Sequence, residues 1–291
     1  MSRSIRMSFD RTPHALPYMI RALRPVRRRR CLQPDIVVRW TGHRADRAQL
    51  GAFRQLTGLP DEPMLPMLYP HTVGFRLAMV LLTHPAFPVP IWGVLQVRNH
   101  LRQYRPIHEA ARMDFETRVV AGRPVAKGAE FDLQTVVDVA GERAWQSLVT
   151  FFAHGRFGEP APVAAPAAAP AGRAPVIAEW TMQDAGHWRC GRLTGDYNGI
   201  HLWDAYARRF GFARALYHPP RVIGECLARL PDCQHDVPAS LDVWLKGPVP
   251  HGARVALRAG TPDDPGAFAL HVEDARPCIL GRWRRLRADD E

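Results

Sequence analysis

The spacing of apolar and polar positions divides the chain into two rounds of the same order: a short strand, helical segments, then a run of strands. In the first round residues 36–40 read as a strand. Residues 44–56 read as a helix, with Ala45, Ala48, Ala52 and Leu56 at helical spacing. Residues 72–82 predict a buried helix, since Phe75, Ala78, Met79 and Leu82 recur at i, i+3, i+4 and i+7. The texture then changes to strands over residues 91–97, 111–120, 129–139 and 144–154, broken by Gly-containing turns. The second round predicts a strand over 176–181, helices over 184–193, 201–210 (stopped by Gly211) and 220–230, and strands over 240–245, 254–259, 267–272 and 279–286.

Laid over each other, PHTVGFRLAMVLL (residues 70–82) and HPPRVIGECLARL (residues 218–230) superimpose Phe75, Ala78, Met79 and Leu82 on Ile223, Cys226, Leu227 and Leu230. Upstream, QLTGLPD at 55–61 echoes RLTGDYN at 192–198. The pattern predicts an internal duplication of α+β units. Its boundaries place a basic, loosely structured leader at 1–34, with one short helix near residues 18–23. A first unit follows at 35–157, a connector at 158–175 and a second unit at 176–288. The connector, GEPAPVAAPAAAPAGRAP, is Pro and Ala with almost nothing to form a core, so an extended spacer is expected.

The two copies differ in one stretch. The second holds Asp196, Asn198 and His201 within six residues, in a turn that Gly195 opens; the first has Leu59 and Met64 where the acid and the imidazole would stand. Such a division suggests that one half reacts while the other makes room for an apolar ligand. Asp196 and Asn198 could simply build a turn and cap the following helix, and His201 could be a hydrogen-bonded core histidine. Alternatively, a neutral imidazole beside an ionised carboxylate can hold one water, polarise it and exchange protons with a substrate.

Composition narrows the remaining classes. A chain of 291 residues with 46% hydrophobic positions can bury a substantial core. No apolar run reaches the roughly 18 residues that would cross a bilayer, and the N-terminus lacks the apolar region of a secretory signal. The expectation is a cytoplasmic protein with no membrane association. Five scattered cysteines without a CxxC pair suggest neither disulfides nor zinc, and no metal or other cofactor is expected. The net charge of +11 rests almost wholly on Arg, because Lys127 and Lys246 are the only lysines. That charge favours phosphorylated or acidic partners. The RPVRRRR run at residues 24–30 has no interleaved aromatics, so nucleic acid is not expected as a partner.

TGDYNGIH at residues 194–201, followed by GFARALYH at 211–218, resembles the signature of the MaoC-like, (R)-specific enoyl-CoA hydratases. LDVWLKGPVPHG at 241–252 resembles that family's next strand and turn. LPMLYPHTVGFRLAMVLL with FPVPIWGVLQVRN resembles its degenerate first copy in double-hotdog members. The resemblance covers about residues 36–288. It implies an α+β double hotdog, each unit a central helix wrapped by an antiparallel sheet, with an acyl chain threaded between the helices. It also implies a hydro-lyase in which Asp196 and His201 activate the water added to, or removed from, a trans-2-enoyl or 3-hydroxyacyl thioester. The thioester would be carried by coenzyme A or an acyl carrier protein. Asn198 would fix the turn, and the chain could be a monomer of two paired units or a homodimer.

Two positions depart from the family pattern. Gly199 replaces a proline in the turn, and Pro219 replaces the glycine after His218. The second matters more, because the family binds the thioester oxygen with a main-chain N–H near that helix start, and proline has none. Arg221 could substitute, the thioester could sit differently, or the protein could bind acyl thioesters while turning them over poorly. A thioesterase that uses Asp196 to direct water at the carbonyl is a further reading on the same fold. His218 itself is read as structural rather than catalytic.

Overall fold

The computed structural model describes residues 4–23, 31–160, 174–261, 264–273 and 276–287. The arginine run at 24–30 and positions 161–173 of the expected connector lie outside the described residues. The first half contains β1 (Ile5–Phe9), α1 (Ala15–Ala22), β2 (Ile36–Arg44), α2 (Arg47–Thr57), α3 (Leu68–Leu82), β3 (Val94–Gln103), β4 (Arg112–Val125), β5 (Gly128–Val139) and β6 (Glu142–His154). The second contains β7 (Val176–Thr181), α4 (His187–Thr194), α5 (Gly199–Leu202), α6 (Asp204–Arg208), α7 (Pro219–Leu227), β8 (Ala239–Leu245), β9 (Arg254–Thr261), β10 (Asp264–Val272) and β11 (Pro277–Arg285).

The strands form one sheet in the order β1-β2-β4-β5-β6-β3-β8-β11-β10-β9-β7. Outside β1 that order reads the same from either end once β2 to β6 are matched with β7 to β11, so the repeat inferred from the pattern is present as a pseudo-twofold. Its axis falls between β3 and β8, which pair antiparallel from Arg98↔Trp244 to Gln103↔Ala239. Each half wraps its sheet around a helix. All fifteen residues of α3 are buried, and it packs on β2 and β4. The shorter α7 buries Val222, Ile223, Cys226 and Leu227 and packs against α2 and α3. Apolar burial of this extent is the main stabilising term for such a fold. No described helix is long and apolar enough to cross a membrane.

Several elements depart from the pattern-based expectation. Residues 5–9 are not loosely structured: Ile5, Met7 and Phe9 alternate inward on β1, which pairs parallel with β2; the short helix expected near 18–23 is present as α1, which begins earlier, at Ala15, and buries Tyr18 and Ala22. The arginines of this segment obscured that alternation. The strand expected at 91–97 begins only at Val94, after a single 3-10 turn at Ile91–Gly93, and runs on to Gln103. Its later residues look too polar for a strand, but those groups are used across the pseudo-twofold. His100 Nδ1 lies 2.8 Å from Asp242, and the Gln103 amide donates to the carbonyls of His235 and Val237. The helix expected over 201–210 breaks at Trp203, whose extended backbone (φ −140, ψ 125) separates α5 from α6.

Candidate active site

The catalytic candidates sit in the connection between α4 and α5. Gly195 ends α4 in the left-handed conformation (φ 74), which turns the chain sharply. Asp196 then closes an Asx turn, its Oδ1 accepting from Asn198 N at 3.0 Å. Asn198 caps α5, its Oδ1 accepting from Ile200 N at 3.2 Å. This places His201 in the first turn of α5, buried, with Nε2 3.5 Å from Asp196 Oδ2. The glycine at 199 has a packing reason, because a Cβ there would come within 2.7 Å of the Tyr206 ring.

The hydrogen bonds fix which nitrogens carry protons. His201 Nδ1 lies 2.9 Å from the carbonyl of Leu216, and a carbonyl only accepts, so Nδ1 carries the hydrogen. In the neutral ring Nε2 is then a lone pair facing an ionised carboxylate oxygen. Two acceptors 3.5 Å apart cannot bond each other, but one water can donate a hydrogen to each. When the pair takes up a proton, Nε2 becomes the donor to Oδ2 instead. Burial pushes the Asp196 carboxyl up; the hydrogen bond and charge of His201, the charge of His218 and the Asn198 N–H outweigh it and hold the carboxyl below its ordinary range.

His218 closes the back of the site. Its ring stacks on His201 at 4.1 Å between centroids, and its Nε2–H donates to the Asp196 carbonyl at 3.0 Å. Burial and the neighbouring His201 charge lower its pKa, so it is neutral at pH 7. Donor atoms of Asp196, His201 and His218 lie within 4.8 Å of one another, a spacing that could also hold a divalent ion.

Asp196, Asn198 and His201 face a cavity of about 440 Å³. Its walls are mostly apolar and come from both halves: Phe75 and Met79 from α3, Phe151 from β6, Val222 from α7 and Ile279 from β11. Gln96, Asn198 and Lys246 bring side-chain N–H donors to the wall. Pro219 also lines it. Arg221 does not: its guanidinium donates to the Ala185 carbonyl, lies 4.3 Å over the Tyr217 ring and pairs with Glu225 at 3.3 Å. It is therefore committed elsewhere and is no substitute for the missing main-chain donor. The start of α7 offers none either, because positions 219 and 220 are both proline, and the N–H groups of Arg221 and Val222 both bond the His218 carbonyl.

A curated relative, 3-hydroxyacyl-thioester dehydratase X of Mycobacterium tuberculosis, is 31% identical over 194 residues, covering 64% of this chain and 68% of its own. The chain belongs to the 3-hydroxyacyl-thioester dehydratase family. No family model matches it. Among solved structures, HtdX of Mycobacterium tuberculosis superimposes with a TM-score of 0.71 at 26% identity, over 86% of this chain and all of that one. A MaoC-like dehydratase from Phytophthora capsici gives a TM-score of 0.69 at 16% identity, over 88% and 96% of the two chains. A second Mycobacterium tuberculosis protein, which has a double hotdog fold, gives a TM-score of 0.52 at 15% identity, over 86% and 95% of the two chains. The expected double hotdog fold holds.

Two residues that hold the Asp196–His201 turn were not singled out in the sequence. Arg76, buried in α3 of the first half, donates to the carbonyls of Arg192 in α4 and Pro13. Tyr18 of α1 donates to the Gly195 carbonyl at 3.4 Å. A lone charge inside an otherwise apolar helix, GFRLAMVLL, was the available signal for Arg76.

Proposed function

We propose that the protein interconverts trans-2-enoyl and (R)-3-hydroxyacyl thioesters, carried by coenzyme A or an acyl carrier protein, in the metabolism of fatty acyl chains. The observation that supports it is the pair of acceptors, Asp196 Oδ2 and His201 Nε2, 3.5 Å apart on the wall of an apolar cavity. A water held between them presents its oxygen lone pairs to C3 of the enoyl group. The oxygen bonds C3 as one of its hydrogens passes to His201 Nε2. His201 Nε2 then gives that proton to C2, so that one water is added across the double bond and the imidazole returns to its neutral form. Dehydration runs through the same atoms in reverse: His201 removes the C2 proton and returns a proton to the departing hydroxyl. Asp196 remains ionised throughout, orienting the water and stabilising the protonated imidazole. The mechanism calls on no metal or other cofactor.

Hydration of crotonyl-CoA and longer trans-2-enoyl-CoAs by the purified protein tests the reading. Loss of the positioned base or of its carboxylate partner, in His201→Ala or Asp196→Asn, is expected to lower kcat by roughly a hundredfold or more. Unchanged rates in both variants would sink it. A second reading, an acyl-thioester binder of low turnover, is favoured by the prolines at 219 and 220, which remove the N–H donors expected for the thioester oxygen. It predicts saturable binding of acyl-CoA without product. Release of free thiol in the same assay would instead indicate a thioesterase.

A further inference from the structure

Beside the catalytic cavity, on the outer side of the turn, lies a groove of about 1070 Å³ between α1 and the α4–α6 segment. Its lining is mostly apolar and includes Leu16, Leu23, Trp188, Trp203 and Phe210, five large hydrophobic side chains that are exposed. Leu23 is 76% exposed and Trp203 52%. Clustered exposure of this kind marks a surface that binds something. Helix α1 is apolar on two sides: Tyr18 and Ala22 enter the core, while Leu16, Ile20 and Leu23 face outward. Among the described residues the second half has no counterpart of β1 and α1, so this wall is an addition to the duplicated unit.

The two spaces adjoin. Met19 of α1 and Trp92 line both the catalytic cavity and the groove, and the Trp92 indole is fixed by donating to the Ala22 carbonyl at 2.7 Å. Arg11 and Arg76 line the groove; Arg11 is exposed, and the Arg76 guanidinium is committed to the carbonyls of Arg192 and Pro13. The large exposed side chains of the groove are apolar, which suits a hydrocarbon chain better than phosphates. The catalytic cavity, by contrast, has the exposed ammonium of Lys246 on its wall, which suits the phosphate-bearing arm of the thioester carrier.

Resting on the reading of the site as an acyl-thioester hydratase, we propose that the groove takes the far end of long acyl chains. Met19 and Trp92, facing both spaces, set the length at which a chain must pass from one to the other. Short thioesters fit within the catalytic cavity and never reach the groove; long ones gain contact with Trp188, Trp203 and Phe210.

The test compares kcat/KM for crotonyl-CoA, trans-2-dodecenoyl-CoA and trans-2-hexadecenoyl-CoA in the wild type, in the double variant Trp188→Ser/Trp203→Ser and in Met19→Trp. Burial of a methylene is worth roughly fourfold in affinity, so loss of the groove is expected to lower the longest substrate at least roughly tenfold and leave crotonyl-CoA within about twofold. Met19→Trp, whose side chain also lines the catalytic cavity, should narrow the passage and lower kcat/KM more for trans-2-hexadecenoyl-CoA than for crotonyl-CoA. Equal losses at every length, as expected if the groove held the nucleotide end of coenzyme A, would overturn the proposal, as would no loss at any length. Binding of unreactive stearoyl-CoA and butyryl-CoA, followed by tryptophan fluorescence in the wild type and by calorimetry in both proteins, separates this proposal from the catalytic one. A stearoyl preference that disappears in the double variant supports the groove even if no thioester turns over. Its persistence in the double variant, or its absence from the wild type, refutes the groove whatever the activity.

Discussion

Tyr18 and Gly195 are 177 positions apart in the chain, yet the phenol of one donates to the carbonyl of the other at 3.4 Å. The contact joins an element added to the first half to the turn that carries the acid of the second. It also gives a physical reason for glycine at position 195. The backbone there is left-handed, and a Cβ would stand 2.3 Å from the Tyr18 hydroxyl oxygen. Gly195→Ala is expected to destabilise the protein by about 1–2 kcal/mol from the backbone alone, with a further cost from the clash. Removing that hydroxyl with Tyr18→Phe should recover part of the loss. Urea unfolding of the two single variants and the double gives the coupling directly; strictly additive effects would mean that the two residues do not meet.

In the proposed hydration His218 acts only through others. It stacks on His201 and holds the Asp196 carbonyl, so both members of the proposed pair take their aim partly from one ring. His218→Phe keeps a stacking surface and deletes the N–H. Misplacement of reacting groups by a fraction of an ångström to one ångström costs roughly ten- to a hundredfold, and the loss should fall on kcat with KM little changed. Partial recovery in His218→Gln, which restores a donor without the ring, would separate aiming from packing. A rise in KM with kcat intact would show instead that the ring touches substrate.

The duplication and the conformation of the Asp196–His201 turn were legible in the sequence for different reasons. The repeat could be read because α3 and α7 must each bury one face, which forces apolar residues into the same spacing in both copies. The turn could be read because an Asx turn, a cap and a first-turn histidine leave a local signature that needs no tertiary contact. What could not be read is long-range. Tyr18 and Arg76 act on carbonyls far away in the chain, and the polar run Arg98–Gln103 looks unlike a strand until β8 supplies Asp242 as the partner of His100. Arg221 erred in the other direction: its position beside Pro219 suggested the site, but a side chain on α7 points where Ala185, Tyr217 and Glu225 hold it.

The prolines at 219 and 220 make a prediction with an internal control. Only Pro219 lies on the cavity wall. Pro219→Gly supplies an N–H at the first position of α7, where the helix itself has no use for it. A single oxyanion donor is worth roughly a hundredfold or more in acyl-transfer sites, so an increase in kcat for enoyl-CoA hydration of at least roughly tenfold is expected. The loss of a fixed backbone angle should lower stability by about 0.4–1 kcal/mol. Pro220→Gly carries the same stability cost without the gain in rate. Equal rates in all three proteins would mean that the thioester oxygen is bound away from this helix.

Buried histidines give the fold a pH dependence whose sign follows from their shifts. Burial lowers His43, His71 and His235 to about 4 each, from an ordinary value of 6.5; for His43 the charge of Arg76 adds to it. His218 is lowered for the same principal reason. Between about pH 6.5 and 4 the unfolded chain therefore binds more protons than the folded one, and stability falls as pH falls through that window. Each such histidine contributes up to about 1.4 kcal/mol per pH unit. Asp196 acts in the same direction, but at lower pH. Its carboxyl is held low, so its contribution is present above its unfolded value and is lost only at still lower pH. Urea unfolding at pH 7, 6 and 5 should thus show a decline, offset in part by Glu225, whose carboxyl burial raises. His71→Gln should flatten it by one proton, since its Nε2 has no hydrogen-bond partner to lose. Constant stability down to pH 5 would mean that these rings are solvated or paired in solution.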